Sequence, residues 1–183
     1  MSSDLSERIE RLARLVHNEA HAESLKPVHW EVLRYLARAN SVSRSPKGVT
    51  AFLGLTKGTV SQTLMALERK RLLSRQERAG DARGICLNLT TDGVDALSRD
   101  PLNALDDALG ALGKRDCDAL SQGLERLLDQ MIKRRGGTPF GVCHTCRHFQ
   151  SGQPDFCDLL KLAIAKDDTD RICMEHEAAG AAV

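Results

Sequence analysis

Aromatic residues are scarce in this sequence, and Phe, Trp and Tyr make up only 3% of its 183 residues. A core must therefore be assembled from Leu, Ala, Val and Ile. The 42% hydrophobic content is enough to build one. Alternating runs rich in Val and Thr are also scarce, which argues against an all-β fold. Leu and Ala together with many Arg, Lys and Glu favour helices instead. No stretch approaches the roughly 18 consecutive apolar residues of a membrane helix. The polar start, from Met1 to Arg8, lacks the basic opening and apolar run of a secretion signal. The reading is a cytoplasmic protein with no membrane partner. Enzyme signatures are missing as well: there are no paired carboxylates in a meaningful helical register, no Ser-centred elbow and no Gly loop for a phosphate. The chain reads as a non-enzyme.

Charge is nearly balanced overall, at +1, but it is unevenly spread. Between Asn40 and Thr90 nine cations (Arg44, Lys47, Lys57, Arg69, Lys70, Arg71, Arg75, Arg78 and Arg83) face three anions (Glu68, Glu77 and Asp81), a local net of +6. A basic segment in a near-neutral chain is the footprint of a nucleic-acid face, although a solvated charged surface would look the same.

Apolar spacing predicts a first helix over about 4–23, through Leu5, Ile9, Leu12, Leu15 and Val16. A second helix follows Pro27, a residue suited to a helix's first turn. After a loop from Asn40 to Pro46 comes a short helix over about 47–53, then a turn at Gly54. Thr56 is placed to cap the next helix, over about 57–71. That helix turns Val60, Leu64 and Leu67 inward and presents Lys57, Thr59, Ser61, Gln62 and Thr63 outward. Two helices joined by a short Gly-containing turn, the second bearing small polar and basic groups, form a DNA-reading unit. Two short strands over 72–76 and 85–89 flank an exposed tip at 77–84, a wing. Thr90 or Thr91 caps another helix, which Pro101 ends or kinks. A last amphipathic helix over about 114–134 buries Leu120, Leu124, Leu127, Leu128 and Met131. Residues 134–139 read as a linker.

The stretch from Leu25 to about Leu97 resembles the MarR family of winged helix-turn-helix transcriptional regulators. The resemblance lies in three runs: Leu25 to Leu36 around Trp30, Leu55 to Glu68, and the wing pattern Arg75, Asp81, Arg83, Leu89, Thr90 and Gly93. It implies a mainly α fold with a small β-hairpin wing, flanked by N- and C-terminal dimerisation helices. One domain would span 1–135, with its winged core at about 27–97, and a Cys-rich extension would span 136–183. It also implies a homodimer on a pseudo-palindromic operator, acting as a repressor. Lys57, Arg69 and Arg78 suit phosphate neutralisation, which gains affinity by counterion release. Thr59, Ser61, Gln62 and Thr63 suit base reading, and the Gln62 amide can pair bidentately with adenine. Arg83 suits a narrow minor groove. By resemblance, Asp81 orients an arginine there. Relatives of this family bind phenolic ligands, and His29, Trp30 and Arg34 would border such a pocket. In that alternative, a small-molecule effector drives the response and the Cys tail is only a structural zinc clip.

The last segment departs from the family. Cys143, Cys146, Cys157 and Cys173 are spaced C-x2-C-x10-C-x15-C, with His144, His148 and His176 nearby. In a reducing compartment such a cluster signals metal or redox chemistry before a disulfide framework. Four thiolates in a polar tail without apolar mass for its own core point to a metal that supplies folding energy. Zinc often uses two paired knuckles, and only one pair is present here. One close pair plus two lone cysteines suits a [4Fe–4S] cluster, and Phe140, Phe149, Phe156 and Ile172 could shield it. The balance tips to iron–sulfur over zinc, with a metal-free Cys143–Cys146 switch as the third option. Such a centre could sense redox state or metal. The histidines read as outer groups, although His176 could replace a cysteine. The Asp167-Asp168-Thr169-Asp170 run reads as a solvated turn. Cys86 reads as a small buried hydrophobe and Cys117 as a candidate thiol near a dimer interface.

Overall fold

A computed structural model of the chain describes the backbone of residues 2–19, 24–78, 81–137 and 139–180, without the side chains of 2, 3, 78 and 81–83. The elements run α1 (Ser2–Glu19), α2 (Pro27–Arg38), α3 (Pro46–Leu53), α4 (Lys57–Arg69), β1 (Leu73–Arg78), β2 (Asp81–Leu89), α5 (Thr91–Leu97), α6 (Asn103–Gly110) and α7 (Lys114–Arg134). A small antiparallel sheet of β3 (Phe149–Gln150), β4 (Asp155–Cys157) and β5 (Leu162–Ile164) follows, in that order.

The fold is mainly helical with one antiparallel hairpin, β1 against β2, as the composition and periodicity indicate. Local signals set the helix starts. Ser45 Oγ accepts from Gly48 N at 3.1 Å to open α3. Thr56 Oγ1 accepts from Thr59 N at 3.2 Å to open α4, and Thr90 Oγ1 accepts from Gly93 N at 3.1 Å to open α5. Each such cap satisfies an N–H that the helix itself leaves free, and is worth about 1 kcal/mol. Gly54 ends α3 at φ 64°, a left-handed conformation that glycine adopts without penalty.

The core gathers Trp30, Leu33, Tyr35 and Leu36 of α2, Val49 of α3, Val60, Leu64 and Leu67 of α4, Leu73 and Leu87 of the hairpin, and Ala96 of α5. Each large apolar side chain fully buried there contributes about 1.5–3 kcal/mol. Leu64 is 1% exposed, so truncating it to alanine would leave a cavity between α4 and its support.

Several expectations need correction. The first helix is observed to Glu19, and residues 20–23 lie outside the described residues. The strands are longer than the sequence suggests and run through most of the expected tip, with a register shift at Glu77/Arg78. Helix α6 was not anticipated; it has no side-chain cap and buries none of its residues. In a single chain, α7 does not bury its leucines. Leu120, Leu124, Leu127, Leu128 and Met131 are 40–58% exposed, and Leu5, Ile9, Leu12 and Leu15 of α1 are exposed too.

The Cys-rich segment is not a detached tail. Phe140 and Ile172 pack against the helical core. The Phe140 ring meets Phe52 edge-on, with centroids 5.1 Å apart, and Phe52 lies 4.8 Å from Tyr35.

Candidate nucleic-acid interface and cysteine site

Helix α4 separates its residues by face. Val60, Leu64 and Leu67 are buried, whereas Lys57, Thr59, Ser61 and Gln62 are exposed near its N-terminus. Buried contacts on one side fix the helix, so the polar side chains on the other are presented on a rigid element. Thr63 is a correction. It is 6% exposed, and its hydroxyl donates to Thr59 O at 2.8 Å, so it is turned inward and already bonded. Arg69 is exposed at the far end of the helix. The side chains of Arg78, Asp81 and Arg83 lie outside the described residues, although their backbone forms the outer part of the hairpin.

Beside the α4 N-terminus runs a groove lined by Lys47, Thr50, Lys57, Ser61 and Arg75 among others. In the sequence Lys47 stands out only through the local charge, and Arg75 through that charge and the wing pattern. Their place in the groove depends on the packing of α3 and β1 beside α4, which has no local sequence signature. Arg75 Nε is 3.1 Å from Glu68, and Lys47 Nζ is 3.2 Å from Glu175 of the Cys-rich segment.

The residues expected around a small-molecule pocket are engaged within the chain. Trp30 is fully buried. His29 Nδ1 accepts from Lys26 N at 3.1 Å, and burial, with Lys26 and Lys70 nearby, lowers the affinity of this imidazole for a proton. Arg34 Nε holds Asp100 at 2.7 Å, with the carboxylate only 7% exposed.

In the C-terminal segment, Cys143, Cys146, Cys157 and Cys173 all line one cavity. Cys143 opens a short 3-10 turn that carries Cys146 past it, Cys157 ends β4, and Cys173 lies beside Gly141, to whose carbonyl its N–H donates at 2.8 Å. All four thiols are free. Phe149, Leu160, Leu162 and Ile164 contribute apolar lining, together with Val42 of the α2–α3 loop. Of the expected shielding groups only Phe149 lines the cavity. Phe140 and Ile172 pack on the helical core instead. Among the described residues, no three His, Cys, Asp or Glu side chains are gathered tightly enough to hold one metal ion. Burial, reinforced by the neighbouring Cys173, Cys146 and Cys157, pushes the Cys143 thiol up to about 11. Burial also raises Cys173.

The histidines stand outside this cavity. His144 Nε2 is 3.2 Å from Asp170 and His148 Nε2 is 3.1 Å from Glu177. His176 is buried, with Nε2 2.9 Å from Thr145 Oγ1. Asp168 is another correction. It is 9% exposed and accepts the Ser41 N–H at 3.0 Å, so it fastens the extension to the helix-turn-helix rather than sitting in a solvated turn.

Two helices across a glycine turn, a capped second helix with an exposed polar N-terminal face, and a hairpin behind it define a winged helix-turn-helix protein. Residues 24–84 match the model of the MarR family. A search of the curated proteins finds no match. Among solved structures, the fold is similar to that of MepR of S. aureus in complex with DNA, with 21% identity and a TM-score of 0.57 over 72% of this chain and 98% of that one. It is also similar to FabT of Streptococcus pneumoniae in complex with DNA, at 20% identity and a TM-score of 0.60, covering 73% of this chain and 99% of that one. A MarR transcriptional regulator from Methanosarcina mazei Go1 shares 17% identity at a TM-score of 0.58, over 72% of this chain and 98% of that one. These likenesses establish the fold. No helix among the described residues is long and apolar enough to cross a membrane.

Proposed function

We propose that this protein is a DNA-binding transcriptional regulator that works as a homodimer, reads a pseudo-palindromic duplex and represses the promoter it covers. The observation that carries this reading is the exposed face of α4, with Lys57, Thr59, Ser61 and Gln62 on a helix whose opposite face is locked into the core. Side chains of this kind at a helix N-terminus bond to base edges in the major groove, while cations nearby neutralise phosphates. The likeness to two proteins solved with DNA supports it. The bare leucine stripes of α1 and α7 support the dimer. Apolar faces this long need a cover, and a second copy supplies the same stripes in return. A dimer also sets two recognition helices about one helical turn apart, which a single copy cannot do.

The four-cysteine site is the regulator's metal centre in this reading, and its cofactor is a [4Fe–4S] cluster. Such clusters are held by four Cys thiolates. The four thiols line one cavity with an apolar wall, which supplies the ligand set and the shielding of such a cluster, and only one Cys pair has the close spacing of a zinc knuckle. Anaerobic purification with iron, sulfide and zinc analysis, followed by a mobility-shift assay on the protein's own upstream region, tests both parts. Iron and sulfide near four each per chain with a shifted duplex is the expected outcome. A colourless protein with one zinc removes the cluster, and an unshifted duplex removes the regulator.

A further inference from the structure

The cavity that holds the four thiols is not closed by the Cys-rich segment alone. Asn40, Ser41 and Val42, from the loop that leads into α3, form part of its lining. This loop and the segment around Cys173 are joined by a seam of hydrogen bonds. Asn40 N donates to Ile172 O at 2.9 Å, and Ile172 N donates to Arg38 O at 2.8 Å, as in a parallel bridge. Met174 N donates to Ser43 Oγ at 2.8 Å, and Arg171 Nη1 donates to Ala37 O at 2.9 Å. Asn40 Oδ1 in turn accepts from Ser43 N at 2.9 Å, which holds the loop in shape beneath Cys173 and Met174.

The same loop is bonded to both α3, which supports α4, and the hairpin. One residue beyond Arg44, Ser45 caps α3, against which α4 packs. Arg44 O accepts from Leu87 N of β2 at 2.8 Å, which ties the loop to the wing. The path from the cysteine site to α4 and the hairpin therefore runs through residues 40–45 of one chain, without crossing a dimer interface.

Resting on the regulator and metal-centre reading above, we infer that filling of the cysteine site sets the DNA affinity of the helix-turn-helix in its own chain, through the Asn40–Ser43 loop. With the centre filled, Cys173 is fixed as a ligand, and Ile172 and Met174 hold the loop, α3 and the wing in one arrangement. With the centre empty, Cys173 keeps only its backbone bond to Gly141, the seam loosens, and binding must then order the loop at the expense of affinity. The filled form is the tighter DNA binder. Ser43, Arg171, Ile172 and Met174 act by position, outside the lining of the cavity.

The test compares full-length protein carrying its reconstituted cluster with the same protein stripped of iron, by fluorescence anisotropy on a labelled duplex from its own upstream region. The variants are Ser43→Ala, which removes the hydroxyl that accepts from Met174 N, and Arg171→Ala, a milder change at a partly exposed residue. In the wild type, filling tightens binding by about tenfold or more, within the usual range of coupling between sites. In both variants, iron and sulfide content is kept while the filled-to-empty ratio falls to about threefold or less. Variants with full cluster content and an undiminished ratio overturn the inference, as does a wild type that binds DNA equally well filled and empty. A wild type that binds no metal, or no duplex in either form, refutes the function proposed above and the coupling with it.

Discussion

Replacing Gly48 with alanine would set a methyl group where the loop before α3 has no room. The added Cβ would stand 2.2 Å from the Ser43 carbonyl oxygen and 2.4 Å from the Tyr35 hydroxyl. The first of these is backbone, held by Tyr35 Oη at 2.8 Å and by Ser45 N at 2.7 Å, so it cannot swing aside as a side-chain tip would. Relief requires a shift of the loop or of α3 by more than an ångström within a packed core. Overpacking of this severity costs about 3 kcal/mol. For a chain of this size that lowers Tm by about 6–12 °C, with protein concentration held constant because the Tm of any oligomer depends on it. Tyr35→Phe is the control. It removes one donor to the Ser43 carbonyl but leaves the Ser45 N–H in place, so its cost stays near 1 kcal/mol. Combining the two changes should recover little, because the backbone contact survives. Thermal unfolding followed by circular dichroism reads all three proteins. A Gly48→Ala protein within about 2 °C of wild type, or one restored by Tyr35→Phe, would refute the claim that this loop is held rigidly against α3.

Other outcomes follow from the same geometry. Gln62→Ala should cost about 1–3 kcal/mol on the specific duplex while leaving binding to random duplex nearly unchanged, as parallel titrations would reveal. Leu124→Glu with Leu127→Glu on α7 should leave the winged core folded but shift the protein to monomer in sedimentation equilibrium, and a persistent dimer would count against α7 as the interface. Cys143→Ser should abolish the visible absorbance of the reconstituted protein, and a variant with unchanged spectrum and iron content would remove Cys143 from the centre.

The helix-turn-helix could be read from the chain because its determinants are local. Thr56 and Thr90 cap helices three residues ahead of the N–H groups they satisfy, and Gly54 sits at the α3–α4 turn, where φ is positive. Val60, Leu64 and Leu67 recur at the helical period. Thr63 misled because a threonine on a helix can satisfy its hydroxyl on the carbonyl four residues back, which removes any need to face water. Helix α6 carried no comparable signal: it buries nothing and has no capping side chain. The four cysteines were legible as one site from their spacing, but the seam was not. Asp168 meets Ser41 across 127 residues of chain and Met174 meets Ser43 across 131, and no periodicity encodes such pairings.

The central claim is that α4 and the hairpin grip a polyanionic duplex, and the salt dependence of binding to the protein's own upstream fragment tests it most directly. Cations released from the phosphates should make log Kobs fall linearly with log salt concentration, at a slope of roughly −0.9 per phosphate neutralised, and Lys57→Ala should flatten that slope by about one. Binding that ignores salt, or a slope untouched by Lys57→Ala, would contradict it.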